Sequence, residues 1–223
     1  MTEQEWLECT DPREMVRFVR PTTGARKLRL AGCACVRLAW VWATDEPLST
    51  AIESAEGFAD SSVTKAALRR ARQEVRKQRY DLGGTDANSR PIWTAYWLAE
   101  VLATENAYGS VIDEMHRLST SLLFLREAEW ATVRALLRDI IGTWWKRVPM
   151  NPDWVTPTVR SLAHAAYDDR ILPSGHFGLD RLAILSDALE EAGCTSVAIL
   201  DHLRSPGPHA RGCWAVDLLL GKE

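Results

Sequence analysis

Between Leu30 and Ala43 the chain reads LAGCACVRLAWVWA, apolar on every side of a helix except at Arg37. A helix that is apolar all round belongs inside a protein. The run is shorter than the roughly 20 residues a bilayer span needs, and it carries a charge. We therefore expect a buried central helix from about Gly24 to Ala43, with Thr23 preceding it. Other helices must surround such an element. Arg37 then needs an acidic or carbonyl partner, because an unpaired buried charge is costly. Cys33 and Cys35 are two apart and face about 200° apart on a helix. They cannot grip one metal ion and are most simply small core residues.

The flanking segments supply further helices. Thr10 or Asp11 can cap a short helix with Pro12 in its first turn, carrying Met15, Phe18 and Val19 and ending at Pro21. A helix from about Ser49 to Asp60 places Glu53, Glu56 and Asp60 on one face. Thr64 opens the next, where Lys65, Arg69, Arg72, Arg76 and Arg79 form a basic stripe opposite Ala67, Leu68, Ala71 and Val75. That stripe has two readings. One is a phosphate-contacting, nucleic-acid-binding helix. The other is a solvated face neutralised by the preceding acidic helix, as a surface hairpin in which reversing Glu56 changes stability little. No groove-docking motif accompanies the stripe, so nucleic acid is not the expected partner.

The segment LGGTDANSRP reads as a loop, followed by a helix from Pro91 to about Thr104 with Trp93, Trp97 and Val101 on one face. A further helix carries Val111, Met115, Leu118 and Leu122, with His116 given no role. Trp130, Val133, Leu137 and Ile140 mark an amphipathic helix that Gly142 ends. The stretch TWWKRVPMNPDWVTP then suits an extended connector pinned by aromatic anchors. We accordingly divide the chain into an N-terminal helical region (residues 1–143), a connector (residues 144–157) and a C-terminal helical region (residues 158–223), compatible with one continuous domain. The expected fold is an all-α, multi-helix orthogonal bundle of roughly eight to ten helices.

Composition narrows the setting. A net charge of −3 selects neither nucleic acid nor membrane. Five cysteines is an odd number, and the opening MTEQEWLECTDPREM has no apolar export segment, so the expected location is a reducing cytoplasm. Ten tryptophans spread along the chain favour core packing over one stacking platform.

Two of the five cysteines and two of the five histidines gather near the end, in the order Cys194, His202, His209, Cys213. Leu182, Leu185, Leu189 and Ala192 define a helix that Gly193 ends, leaving Cys194 just outside. Thr195 can cap a short helix from Ser196 to Leu203. The turn SPGP reverses the chain, and Pro208 can open a final helix ending before Gly221. On that helix His209 and Cys213 would be four apart on one face, a spacing at which two ligands hold one ion. A Cys₂His₂ zinc site is thus reachable. The competing reading is two buried thiols and two histidines bonded to backbone. A Cys213–His209 thiolate pair oriented by Asp217 is a catalytic alternative, but three side chains on one helix point outward in parallel and do not surround a pocket. No standard catalytic or nucleotide-binding signature occurs.

The tail from LDRLAILSDALEEAGC through GPHARGCWAVDLLLGKE resembles the C-terminus of a family of uncharacterised bacterial proteins, whose ends read approximately AGC, then H, then GPGPHxRGCWxxDxxLGK. The segments TEQEWLECTDPREMVRFVR, RKLRLAGCACVRLAW and LLRDIIG are similar to the same family. The resemblance implies that Cys194, His202, His209, Cys213, Trp214 and Asp217 form a recurrent arrangement, with no activity assigned. The functional expectation is a non-enzymatic protein-interaction or regulatory module of the bacterial cytoplasm, acting on another protein, with a structural zinc site. The alternatives are a hydrolase built on a zinc or Cys–His centre in the tail, and nucleic-acid binding through residues 65–79.

Overall fold

A computed structural model of the chain describes residues 1–38, 45–82, 90–105, 127–142 and 148–222. Among them are eleven α-helices and no β-strand, giving an all-α bundle. In chain order these are α1 (Glu3–Glu8), α2 (Pro12–Val19), α3 (Ala25–Leu38), α4 (Glu46–Ala59), α5 (Lys65–Asp81) and α6 (Arg90–Leu102). Then follow α7 (Glu127–Ile141), α8 (Pro157–Asp168), α9 (Leu179–Glu191), α10 (Val197–Arg204) and α11 (Trp214–Leu220). The expected helix around His116, most of the loop LGGTDANSRP, and Trp40, Trp42, Trp144 and Trp145 lie outside the described residues.

Local chemistry explains most helix starts. Asp11 caps α2 by accepting from the Arg13 N–H, with Pro12 in the first turn. Thr2, Asp45, Thr64 and Thr156 cap α1, α4, α5 and α8 in the same way. The α1 cap is reciprocal, since Glu5 also accepts from the Thr2 N–H at 2.6 Å.

The centre of the bundle is α3, buried continuously from Leu28 to Arg37. It packs against α4, α6 and α7. Cys33 belongs to the apolar core shared with α4, α5 and α6, whereas Cys35 belongs to the one shared with α1, α2 and α7. The two thiols therefore face different layers, as their spacing requires. Burial pushes both thiols up, Cys35 to about 12. A third core joins α8, α9, α10 and α11, with Val148, Met150, Trp154 and Val155 of the connector packed against it. A single 3₁₀ turn, Pro152–Trp154, shapes that stretch of the connector.

The cations of α3 are satisfied on every side. Arg29 donates to the carbonyl oxygens of Leu102, Thr104 and Glu105, closing the C-terminal end of α6. Arg26 holds Asp217 at 2.6 Å and Asp60 at 2.8 Å, and Lys27 holds Asp217 at 2.6 Å. Arg37 pairs with Glu56 at 2.8 Å and also donates to the Pro173 carbonyl.

These pairs correct the expected surface hairpin of α4 and α5. Glu56 is 2% exposed and lies between Arg37 and Arg170, both at 2.8 Å, while Asp60 faces Arg26 and the Tyr167 hydroxyl. The basic stripe of α5 meets α6 instead. Lys65 and Arg69 pair with Glu105, and Arg72, Arg76 and Arg79 with Glu100. The reason is burial: Arg37 is carried into the interior on α3, and an inward carboxylate from α4 balances its charge.

Breaking the buried triad should be costly. Glu56→Gln leaves two guanidinium groups without their carboxylate, and urea unfolding at neutral pH should show a loss of about 3–5 kcal/mol. Although burial opposes it, pairing with Arg37 and Arg170 holds the Glu56 carboxyl below its ordinary value. Its contribution is thus complete above the usual carboxylate range and fades as pH falls through the lowered value, so wild type and variant should converge in acid. A neutral-pH difference under about 0.5 kcal/mol would contradict a buried pair.

Candidate metal centre

The turn between α10 and α11 is where the tail departs from its expected form. The final helix begins at Trp214, with Cys213 at its N-cap, and not at Pro208. Residues 208–213 are committed to other backbone pairings. Phe177 N–H donates to the His209 carbonyl at 2.8 Å, His176 bridges Ala210, and Cys213 N–H donates to the Ala210 carbonyl. Gly207 and Gly212 take positive φ of 78° and 94°, which interrupts helix propagation. At Gly212 a side chain would also press on Leu30 of α3.

This fold-back brings His202, His209 and Cys213 against α7, where Asp139 projects into the same space. One donor atom from each of Asp139, His202, His209 and Cys213 lies within 4.8 Å of the other three, a group able to hold a metal ion. Asp139, His209 and Cys213 are buried, and the His202 side chain is 18% exposed. Asp139 Oδ1 stands 3.0 Å from His202 Nε2 and 2.8 Å from His209 Nδ1. Cys213 Sγ is 3.2 Å from the same His202 Nε2. The two imidazoles meet edge to face at 4.8 Å, and the Trp214 ring lies 4.8 Å from His202.

Hydrogen bonds around the cluster fix the orientation of its members. Asp139 Oδ2 accepts from the Ala210 N–H at 2.9 Å, leaving Oδ1 for the centre. His209 Nε2 lies 3.2 Å from the Ser205 carbonyl and 3.1 Å from the Ser205 hydroxyl, which can donate or accept. The Nδ1 of His209 faces the Asp139 oxygen at 2.8 Å. A proton on Nδ1, donated to that oxygen, satisfies the contact without a metal. Burial lowers the His209 pKa, but Asp139 outweighs burial and raises it above its ordinary value. By the same balance the two histidines hold Asp139 down at about 2 despite its burial. A metal ion can take the proton's place, with the Ser205 carbonyl and Ala210 amide as outer-shell supports. Tetrahedral zinc with donors at about 2.0–2.3 Å would separate them by about 3.2–3.8 Å. The three shortest contacts, at 2.8, 3.0 and 3.2 Å, would open to admit the ion, and all four donors lie within 4.8 Å of one another.

The arrangement does not form a nucleophile relay. Such a relay uses both nitrogens of one imidazole, whereas His202 presents the same Nε2 to Asp139 and to Cys213. Burial, with Asp139 adding to it, pushes the Cys213 thiol well up, the reverse of an activated nucleophile.

Of the four expected ligands, His202, His209 and Cys213 come together and Cys194 does not join them. Cys194 follows Gly193 (φ 83°), donates its N–H to the Leu189 carbonyl, and packs in the apolar core of α8 to α11. Asp139 takes the fourth place. Its sequence signal was a carboxylate beside Leu136 and Ile140 on the edge of the buried face of α7, where a charge requires partners. Asp217 orients neither His209 nor Cys213; it binds Arg26 and Lys27. His164 is exposed. Trp214 packs where Gly142 ends α7, and a Cβ at Gly142 would lie 2.6 Å from it. No protein-family model, curated protein or solved structure matches this chain.

Asp139→Ala strips the acceptor from the Ala210 amide and the counter-ion from His209. Denaturant unfolding in the presence of chelator should record a loss of about 3–5 kcal/mol. A loss below about 1 kcal/mol would mean that the cluster contributes little without metal.

Proposed function

We propose that the chain is a non-enzymatic helical module, of the protein-interaction or regulatory kind, closed by a structural zinc ion on Asp139, His202, His209 and Cys213. The convergence of four donors from α7, α10, the following turn and the start of α11 is the observation that supports it. Mixed nitrogen, sulfur and oxygen donors suit zinc, and four protein ligands fill its tetrahedron as in closed structural sites. The ion would tie α7 to the C-terminal helices, so its binding energy would be folding energy.

Support for a protein partner comes from the surface. Ile171, Leu172, Leu179 and Ile184 are each about half exposed within one short segment. Reading the module as a nucleic-acid binder has less support, because Lys65, Arg69, Arg72, Arg76 and Arg79 of the α5 stripe already face Glu100 and Glu105. No helix among the described residues is long and apolar enough to cross a membrane.

Elemental analysis of gently purified protein should find close to one zinc per chain. Cys213→Ala and Asp139→Ala should lose it, and Cys194→Ala should keep it. Chelator should lower the Tm of the wild type and of Cys194→Ala, with no further effect on Cys213→Ala. Less than about 0.1 zinc per chain in the wild type, with chelator-insensitive melting, would overturn the zinc reading.

A further inference from the structure

A cleft of about 350 Å³ adjoins the cluster and is lined by Asp139, His202 and His209 but not by Cys213. In a tetrahedral centre those three ligands form the face opposite the thiolate. Closed sites hold zinc with four protein ligands, but zinc accepts a fifth in some catalytic sites, and a fifth donor here would enter through that face. The remaining walls are largely apolar, with Trp6, Ala198, Pro208 and Trp214 among them. The volume lies at the small end of ligand pockets and suits a molecule of about ten heavy atoms.

Arg138 stands beside this opening. It precedes Asp139 on α7 and lines the same cleft. Its guanidinium donates to the carbonyl oxygens of Trp6 and Cys9, and no carboxylate among the described residues pairs with it. The metal's two positive charges are balanced by Asp139 and the Cys213 thiolate, so the centre alone has no net attraction for an anion. Arg138 supplies the missing positive charge beside it.

We infer that this cleft binds a small carboxylate, with one oxygen entering the metal's coordination sphere opposite Cys213, Arg138 supplying the counter-charge and the apolar walls holding the hydrocarbon portion. The inference rests on the metal-bound reading above and gives the regulatory module its small-molecule input. A neutral amide of the same shape lacks the charge Arg138 answers and binds more weakly.

Cobalt(II) in place of zinc in the full-length protein makes the coordination number visible. Benzoate should weaken the intense visible bands of four-coordinate cobalt saturably, and benzamide should need at least about tenfold higher concentration. Arg138→Gln should weaken benzoate binding by a similar factor while leaving the ligand-free cobalt spectrum unchanged. Should that variant misfold, the benzoate–benzamide comparison on the wild type still decides. A spectrum blind to benzoate in protein that shows the thiolate–cobalt band overturns this inference and leaves the metal reading standing. Equal binding of benzoate and benzamide overturns the carboxylate class. Absence of the thiolate–cobalt band before any benzoate is added overturns the metal reading, and this inference with it.

Discussion

The bundle depends on the satisfaction of charge carried into its interior by α3. Burial of this helix supplies apolar contact to two separate cores, and its cations then have to be met from neighbouring elements. Arg29 meets the end of α6, Arg37 meets Glu56, and Arg26 and Lys27 meet Asp217 of α11. Each contact fixes a helix that apolar packing alone would position only approximately. Buried pairs of this kind contribute little net stability against an apolar substitute, but removing one partner is severe. They act as registration points for the bundle.

One such point lies between the α3–α4 pair and the C-terminal helices. Arg26 reaches Asp60, Asp217, the Tyr167 hydroxyl and the Lys222 carbonyl, while Lys222 lies over the Tyr167 ring at 4.1 Å. This network draws α8 and α11 against α3. With α11 so held, Cys213 at its N-cap and His209 just before it are delivered to Asp139 on α7. The candidate metal centre is thus downstream of the charge network, and both join the beginning of the chain to its end.

Much of this was legible in local pattern. The all-α class, the burial of α3, the need of Arg37 for a partner and the caps at Asp11 and Thr64 follow from residue types and 3.6-residue spacing. His202, His209 and Cys213 were also grouped from the sequence, but on the premise of a final helix from Pro208; the structure brings His209 to the cluster from a turn and not from a helix face. What was misread shares a cause. Glu56 and Asp60 looked like a surface acidic face because helical spacing reports which residues share a side, not what that side meets. Cys194 looked equivalent to Cys213 because sequence order does not tell which wall of a helix layer a thiol faces. Ala210, from the C-terminal region, packs with the core of α1, α2, α3 and α7.

The sequence by itself therefore marked most of the elements and three members of the cluster, since helix formation, capping and amphipathic burial are decided within a few residues. Only the tertiary structure decided the pairings: Glu56 with Arg37 across 19 residues, Asp217 with Arg26 across 191, and Asp139 with His209 across 70. Coulomb and hydrogen-bond partners in a closed interior are chosen by which helices touch, and that choice depends on the packing of the whole chain. Asp139 lies at the edge of an apolar face, and it became a candidate ligand only when the turn at Gly207 and Pro208 and α11 placed two imidazoles and a thiol around it.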